Sequence, residues 1–177
     1  AYSGDSSALR GVPLVQRGRQ KMGGMEMAKE NGFVHYEISN FAKEGFYAKH
    51  NTAYWQNKHY LGVGPSAHSF NGKSRSWNVS SNKQYILKIK KGEAYFESEI
   101  LNSHQQYNEY IFTALRTIWG VNSETIKERF GEKIQTHFLK EVKKWATKKD
   151  IKKIENTYTL TTSGKFLADA IASDLFI

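Results

Sequence analysis

The chain has 177 residues, with 26 Lys+Arg against 17 Asp+Glu for a formal net charge of +9, and with 39% hydrophobic and 14% aromatic residues. That apolar content is more than disordered chains carry, and the length allows one core or one domain plus a smaller module. The absence of cysteine excludes disulfides, thiolate zinc sites and iron–sulfur ligation from within these residues, while the positive charge favours anionic partners such as nucleic acid, phosphorylated ligands or carboxylate-bearing molecules.

No apolar run approaches the roughly 18 residues of a membrane span, and no signal-peptide pattern opens the chain, so the expected location is cytoplasmic. The first residue is Ala1 rather than Met, which suggests a piece cut from something longer.

Glycines, serines and Pro13 break any long period over residues 1–30, predicting loop followed by a short helix at Met25–Glu30. Phe33–Ile38 reads as a β-strand entering a loop at Ser39-Asn40-Phe41, and a helix followed by a strand fits a βα unit. Residues 46–60 hold Phe46, Tyr47, Tyr54, Trp55 and Tyr60 with neither strand nor helix period, predicting an irregular aromatic loop. Tyr60–Gly64 is expected to form a second short strand ended by Pro65. Residues 71–82 read as loop or tight hairpin, and Lys83–Lys91 as a basic helix stopped by Gly92.

Beyond a boundary expected near residues 98–103, the periods sharpen. Ser103 and Gln106 have capping-box spacing before Tyr107, Tyr110, Ile111, Ala114, Leu115 and Ile118 recur at helical intervals. A short helix capped by Ser123 follows, then a third with Ile134, Phe138, Val142 and Trp145 on one side. A hairpin around Glu155-Asn156-Thr157 leads to a last helix with Leu167, Ala170, Ile171 and Leu175 facing inward. Three helices, a hairpin and a closing helix predict a winged-helix-like module.

The most specific string is His50-Asn51-Thr52-Ala53-Tyr54-Trp55. A neutral imidazole nitrogen is a good axial ligand for haem iron, and adjacent aromatics suit a flat apolar macrocycle. His-Asn-x-x-Tyr-Trp resembles the haem-binding signature of the haem chaperones within the oxygen-independent coproporphyrinogen III oxidase-like radical S-adenosylmethionine family. His35–Ala42 before it, Tyr60–Gly64 with Ala67-His68-Ser69 after it, and Arg75 and Asn78 are similar to family segments in the same order. So are Leu115-Arg116-Thr117, Arg129-Phe130-Gly131 and Leu160-Thr161-x-x-Gly164-x-x-Leu167-x-Asp169.

The resemblance implies an α+β chain. Residues 1–98 would be the C-terminal portion of a radical S-adenosylmethionine (β/α) partial barrel with its haem loop, and residues 99–177 a helical winged-helix-like domain. It implies haem-binding by His50, Asn51, Tyr54 and Trp55, with His50 as the iron ligand. Gly62, Gly64 and Arg75 are expected to be cofactor-binding, through close backbone approach and a propionate fork. Expected partners are haem or porphyrin, a haem-acceptor protein and the N-terminal barrel half. Residues 4–31 match the family poorly.

The [4Fe-4S] cluster and S-adenosylmethionine belong to the full-length parent, since the cluster cysteines are missing from this chain, which is expected to be inactive alone as an oxidoreductase. Oxidative decarboxylation of coproporphyrinogen III is the sister reading to haem delivery. A rival of another class is a nucleic-acid-binding winged helix. Residues 132–153 carry eight Lys against three Asp/Glu, and Lys133, His137, Lys140 and Lys144 share a helix face. His50, His59 and His68 recur every nine residues, but no cysteine or acidic cluster completes a zinc set.

Overall fold

The computed structural model describes residues 23–177, so the loop expected over the first 22 residues lies outside the described part. The chain divides into two compact units, Ala1–Tyr47 and Ala48–Ile177.

In the first unit, residues 23–30 are helical (α1) and lead into β1 (Phe33–Glu37). The loop expected at Ser39–Phe41 is instead the return of a hairpin, because β2 (Asn40–Lys43) pairs antiparallel with β1, Phe33 opposite Lys43 and His35 opposite Phe41. Glu37, 1% exposed, closes the turn: its carboxylate accepts from the Ser39 amide at 2.9 Å and the Asn40 side-chain amide at 2.5 Å. His35 and Phe41 stack across the pair with ring centroids 4.2 Å apart.

The second unit starts with a correction. The stretch expected as irregular loop contains a two-turn helix, α2 (Lys49–Trp55), continued at each end by backbone bonds from Thr52 to Ala48 and from Gln56 to Thr52, both 2.9 Å. Nothing in α2 is fully buried, so it lacks the one-sided apolar stripe by which longer helices are recognised. The expected strand at Tyr60–Gly64 is also absent. Tyr60 exchanges two 2.9 Å backbone bonds with Phe70 as an isolated bridge, and the chain beyond it runs outside the sheet.

A three-stranded antiparallel sheet follows, in the order β3 (His68–Phe70), β4 (Ser74–Asn78), β5 (Phe96–Ile100), with α3 (Asn82–Lys91) between its last two strands. Strand β5 was not legible in the sequence, since Glu97 and Glu99 interrupt its apolar residues and four of its five positions are exposed.

The rest builds on α4 (Ser103–Leu115), whose capping box is one residue earlier than expected: Asn102 and Gln105 exchange the reciprocal bonds at 2.9 and 2.8 Å. After β6 (Val121–Asn122) come α5 (Ser123–Phe130) and α6 (Glu132–Thr147), and Asn122 rather than Ser123 caps α5. β7 (Ile151–Ile154) and β8 (Thr157–Leu160) form the expected hairpin, and the sheet order β6-β8-β7 puts β8 in the middle. A 3₁₀ turn (Gly164–Leu167) precedes α7 (Ala168–Leu175) and rotates its phase. Ile171 and Leu175 are fully buried as expected, whereas Leu167 is 43% exposed, Ala170 is exposed, and Ala168 and Ala172 face the core in their place.

Tyr107 of α4 is fully buried and donates its hydroxyl to the Leu175 carbonyl at 2.9 Å, tying the first helix of this part to the last. Burial pushes the phenol pKa upward, so the donor stays protonated.

Candidate functional site

A cleft of about 650 Å³ opens between α2, the extended segment 58–64 and β3–β4, within the range of cofactor pockets. α2 contributes His50, Ala53 and Tyr54 to its lining. His50 and Tyr54, four apart and thus on one helix face, both line the cleft. The His50 ring is exposed and makes no hydrogen bond to a described residue, so its nitrogens are available to a ligand.

Asn51 and Trp55 occupy the neighbouring face and are not in the lining. Trp55 lies instead under the guanidinium of Arg116, just past the end of α4, 5.2 Å from the ring centroid. Its indole N–H and the Thr52 hydroxyl are buried without hydrogen-bond partners, a cost that a purely structural helix normally avoids.

The opposite wall is a braced strip of backbone. Asn78, 6% exposed, donates to the carbonyls of Gly64 at 2.8 Å and Gly62 at 3.3 Å. The Gly62 amide donates to Ser69 Oγ at 3.0 Å and the Gly64 amide to the Tyr85 hydroxyl at 3.1 Å. The close approach that Gly62 permits is therefore to its own chain: a Cβ there would meet the His68 carbonyl oxygen at 2.1 Å. With the amides and carbonyls of Gly62 and Gly64 already bonded, this segment serves as a frame for two side chains that sequence reasoning missed. Leu61 and Val63 stand 82% and 81% exposed, and both line the cleft. Their signal was the alternation of aliphatic residues around the Gly-x-Gly pair.

Arg75 also reaches the cleft, but its guanidinium is held by Glu99 at 3.2 Å and Glu109 at 3.0 Å, so most of its donors are spent within the protein. Tyr60 packs 5.7 Å from Tyr54, and its hydroxyl pKa is raised by burial first, then by Tyr54 and Glu109, with Arg75 opposing. His59 and His68 line the same cleft as His50. Among the described residues no three His, Asp or Glu side chains are grouped so as to hold a metal ion, so the cleft offers single nitrogens rather than a chelate. The lining as a whole is aliphatic and aromatic with a cationic group at Lys58, which suits a flat apolar molecule carrying acidic groups.

The other expected surface is less open. On α6, Lys140 and Lys144 both lie against Glu141, and a His137 ring nitrogen is 3.2 Å from the Phe176 carbonyl oxygen.

Residues 101–167 match the model of the HemN C-terminal domain. The chain is 34% identical over 170 residues to the haem chaperone HemW of Bacillus subtilis, a match covering 89% of this chain and 45% of that protein. The chain belongs with the C-terminal part of the HemN-like family. It is also 36% identical over 106 residues to HemW of Lactococcus lactis, covering 60% of this chain and 28% of the relative.

The chain thus spans less than half the length of the curated relatives it matches. A solved structure of coproporphyrinogen III oxidase (HemN) from Escherichia coli, described as a radical SAM enzyme, superimposes with a TM-score of 0.66 at 16% identity, over 88% of this chain and 39% of that one. At that identity the likeness establishes the fold: a mixed helix and sheet chain like part of a radical SAM enzyme. No helix among the described residues is long and apolar enough to cross a membrane.

Proposed function

We propose that this HemN-like chain is the haem-binding C-terminal part of a cytoplasmic haem chaperone, which takes up haem in the His50 cleft and passes it to an acceptor protein. The observation that carries the reading is the exposed, unbonded His50 ring sharing one cleft with Tyr54, Leu61 and Val63. His50 would ligate iron, the aliphatic pair and Tyr54 would cover the macrocycle, and Lys58 would meet a propionate. Haem supplies the iron to be delivered and is cargo rather than catalyst.

Trp55 acts behind this surface by fixing α2 against Arg116, and the Gly62–Gly64 backbone acts as its support. Arg75, locked between two carboxylates, sets the position of β4 against α4. Residues 1–98 then form the C-terminal piece of the radical SAM barrel and residues 99–177 the helical domain. Any [4Fe-4S] cluster and S-adenosylmethionine would be held by residues outside this cysteine-free sequence. One surface exposed enough to bind is also exposed enough to release, which is what delivery requires and what a sealed catalytic pocket does not offer.

Titration with haemin tests this. The chain is expected to give a shifted Soret band, and His50→Ala to weaken binding by no less than about 10–100-fold, the loss that outer-shell changes alone cause at metal sites. Identical titrations for the two proteins would remove the assignment.

A further inference from the structure

The helix that carries His50 has little of its own to keep it folded. α2 is seven residues long, has no side-chain cap at Ala48 and no acidic residue in its first turn, and buries none of its residues fully. A helix this short is unstable in water by itself, so its two turns depend on what the rest of the chain presses against them. Its main neighbour among the named elements is α4, and the side chain that reaches across is that of Arg116, just past the end of α4.

Arg116 meets three helices at once. Its guanidinium carbon stands 5.2 Å from the Trp55 ring centroid on α2 and 5.4 Å from that of Phe112 on α4, and Nη1 donates to the Asp169 carboxylate of α7 at 3.2 Å. The ion pair itself is weak, because the Asp169 side chain is 84% exposed, so it serves to orient the planar group. The Arg116 side chain is only 18% exposed, and this partial burial strengthens its attraction to the indole. From Trp55 the contact runs on into the cleft: its ring meets that of Tyr54 edge-on with centroids 5.0 Å apart, and Tyr54 packs 5.7 Å from Tyr60. Against this hold stand the Trp55 indole N–H and the Thr52 hydroxyl, buried on α2 without partners, whose lost hydration offsets part of the attraction and leaves α2 marginal.

We propose that Arg116 is a positioning residue for the His50 cleft: by holding Trp55 it keeps α2 helical, and the helical form is what sets His50 and Tyr54 on one face. Its consequence for haem rests on the reading above. A binding-competent state that is only fractionally populated weakens the apparent affinity by that fraction, so loosening α2 lowers haem affinity without removing any group that touches haem. Arg116 is not in the cleft lining, and the hold on the cargo is thereby set from the helical half, at a residue the cargo never touches.

Amide hydrogen exchange on the whole chain without haem, run beside a haemin titration, tests it. In Arg116→Gln the amides of residues 52–56 are expected to exchange about 2–30-fold faster, the span of one cation–π contact from exposed to desolvated settings, while those of Phe138 and Val142 in α6 keep the parent's rates. Haemin affinity is expected to fall by a factor in the same range. Arg116→Lys should restore part of both, since an ammonium also sits over an indole but cannot stack as a planar fork. In a Trp55→Ala background, Arg116→Gln should change neither any further. Unchanged exchange over residues 52–56, faster exchange spread equally over α4 and α6, or an undiminished effect in the Trp55→Ala background overturns the proposal, as does parent-like haemin affinity in a variant whose α2 exchanges faster. A parent chain that takes up no haemin removes the haem reading alone, because the exchange rates still decide whether Arg116 holds α2.

Discussion

Phe138→Ala is expected to lower the free energy of unfolding by about 3–5 kcal/mol, a large share of the roughly 5–15 kcal/mol typical of a domain. Phe138 lies at the centre of α6 with no exposed surface, and its ring meets that of Tyr158 on β8 edge to face, with centroids 5.1 Å apart at 88°. Truncation removes the aromatic contact and leaves a cavity in a place where three elements meet. The walls cannot collapse inward easily, because α6 is held further along the same face by buried Val142 and Trp145, the latter donating its indole N–H to Asp174 at 3.2 Å. Chemical denaturation followed by tryptophan fluorescence measures the loss. A change under about 1 kcal/mol would show that the helical half does not depend on this contact.

The second large effect is expected on binding and not on stability. Leu61→Asn together with Val63→Thr keeps side-chain size but removes the apolar character of the cleft wall. Covering an aliphatic side chain of this kind contributes about 1.5–3 kcal/mol, so the pair together should weaken haemin binding by roughly a hundredfold to ten-thousandfold. Since the two are 82% and 81% exposed, the free energy of unfolding should stay within about 0.5 kcal/mol of the parent. Two large aliphatic side chains held in water by a backbone that Asn78, Ser69 and Tyr85 brace make sense as a surface awaiting a partner. Unchanged haemin affinity in this variant would mean that the macrocycle lies elsewhere.

How much of this could be read from the residues alone depended on where each segment finds its partners. The helical half was legible because Phe138, Val142 and Trp145 mark one face of α6 at regular intervals, and because the β7–β8 turn is polar between apolar strands. Small shifts there came from competition between neighbours. Asn102 outcompetes Ser103 as a cap because Gln105 can answer it, and the 3₁₀ turn before α7 moves Leu167 and Ala170 off the buried face.

Strand β5 was hidden because it is defined by its backbone pairing with β4, not by an apolar face. The same holds at the cleft. His50 and Tyr54 were found as a motif, but only the helical form of α2 separates them from Asn51 and Trp55. The Gly62-x-Gly64 pair suggested room for a ligand, and the structure uses it to let the chain pass close to His68. Arg75 was expected to meet a propionate, yet Glu99 and Glu109, distant in sequence, hold it first.

The most direct test of the account is the iron–histidine stretching band in the resonance Raman spectrum of the ferrous haem-loaded chain. The account predicts that this band is present, is lost in His50→Ala, returns when free imidazole is added, and persists in His59→Ala and His68→Ala. A band that survives the change at position 50, or that disappears with either of the other two histidines instead, would contradict it.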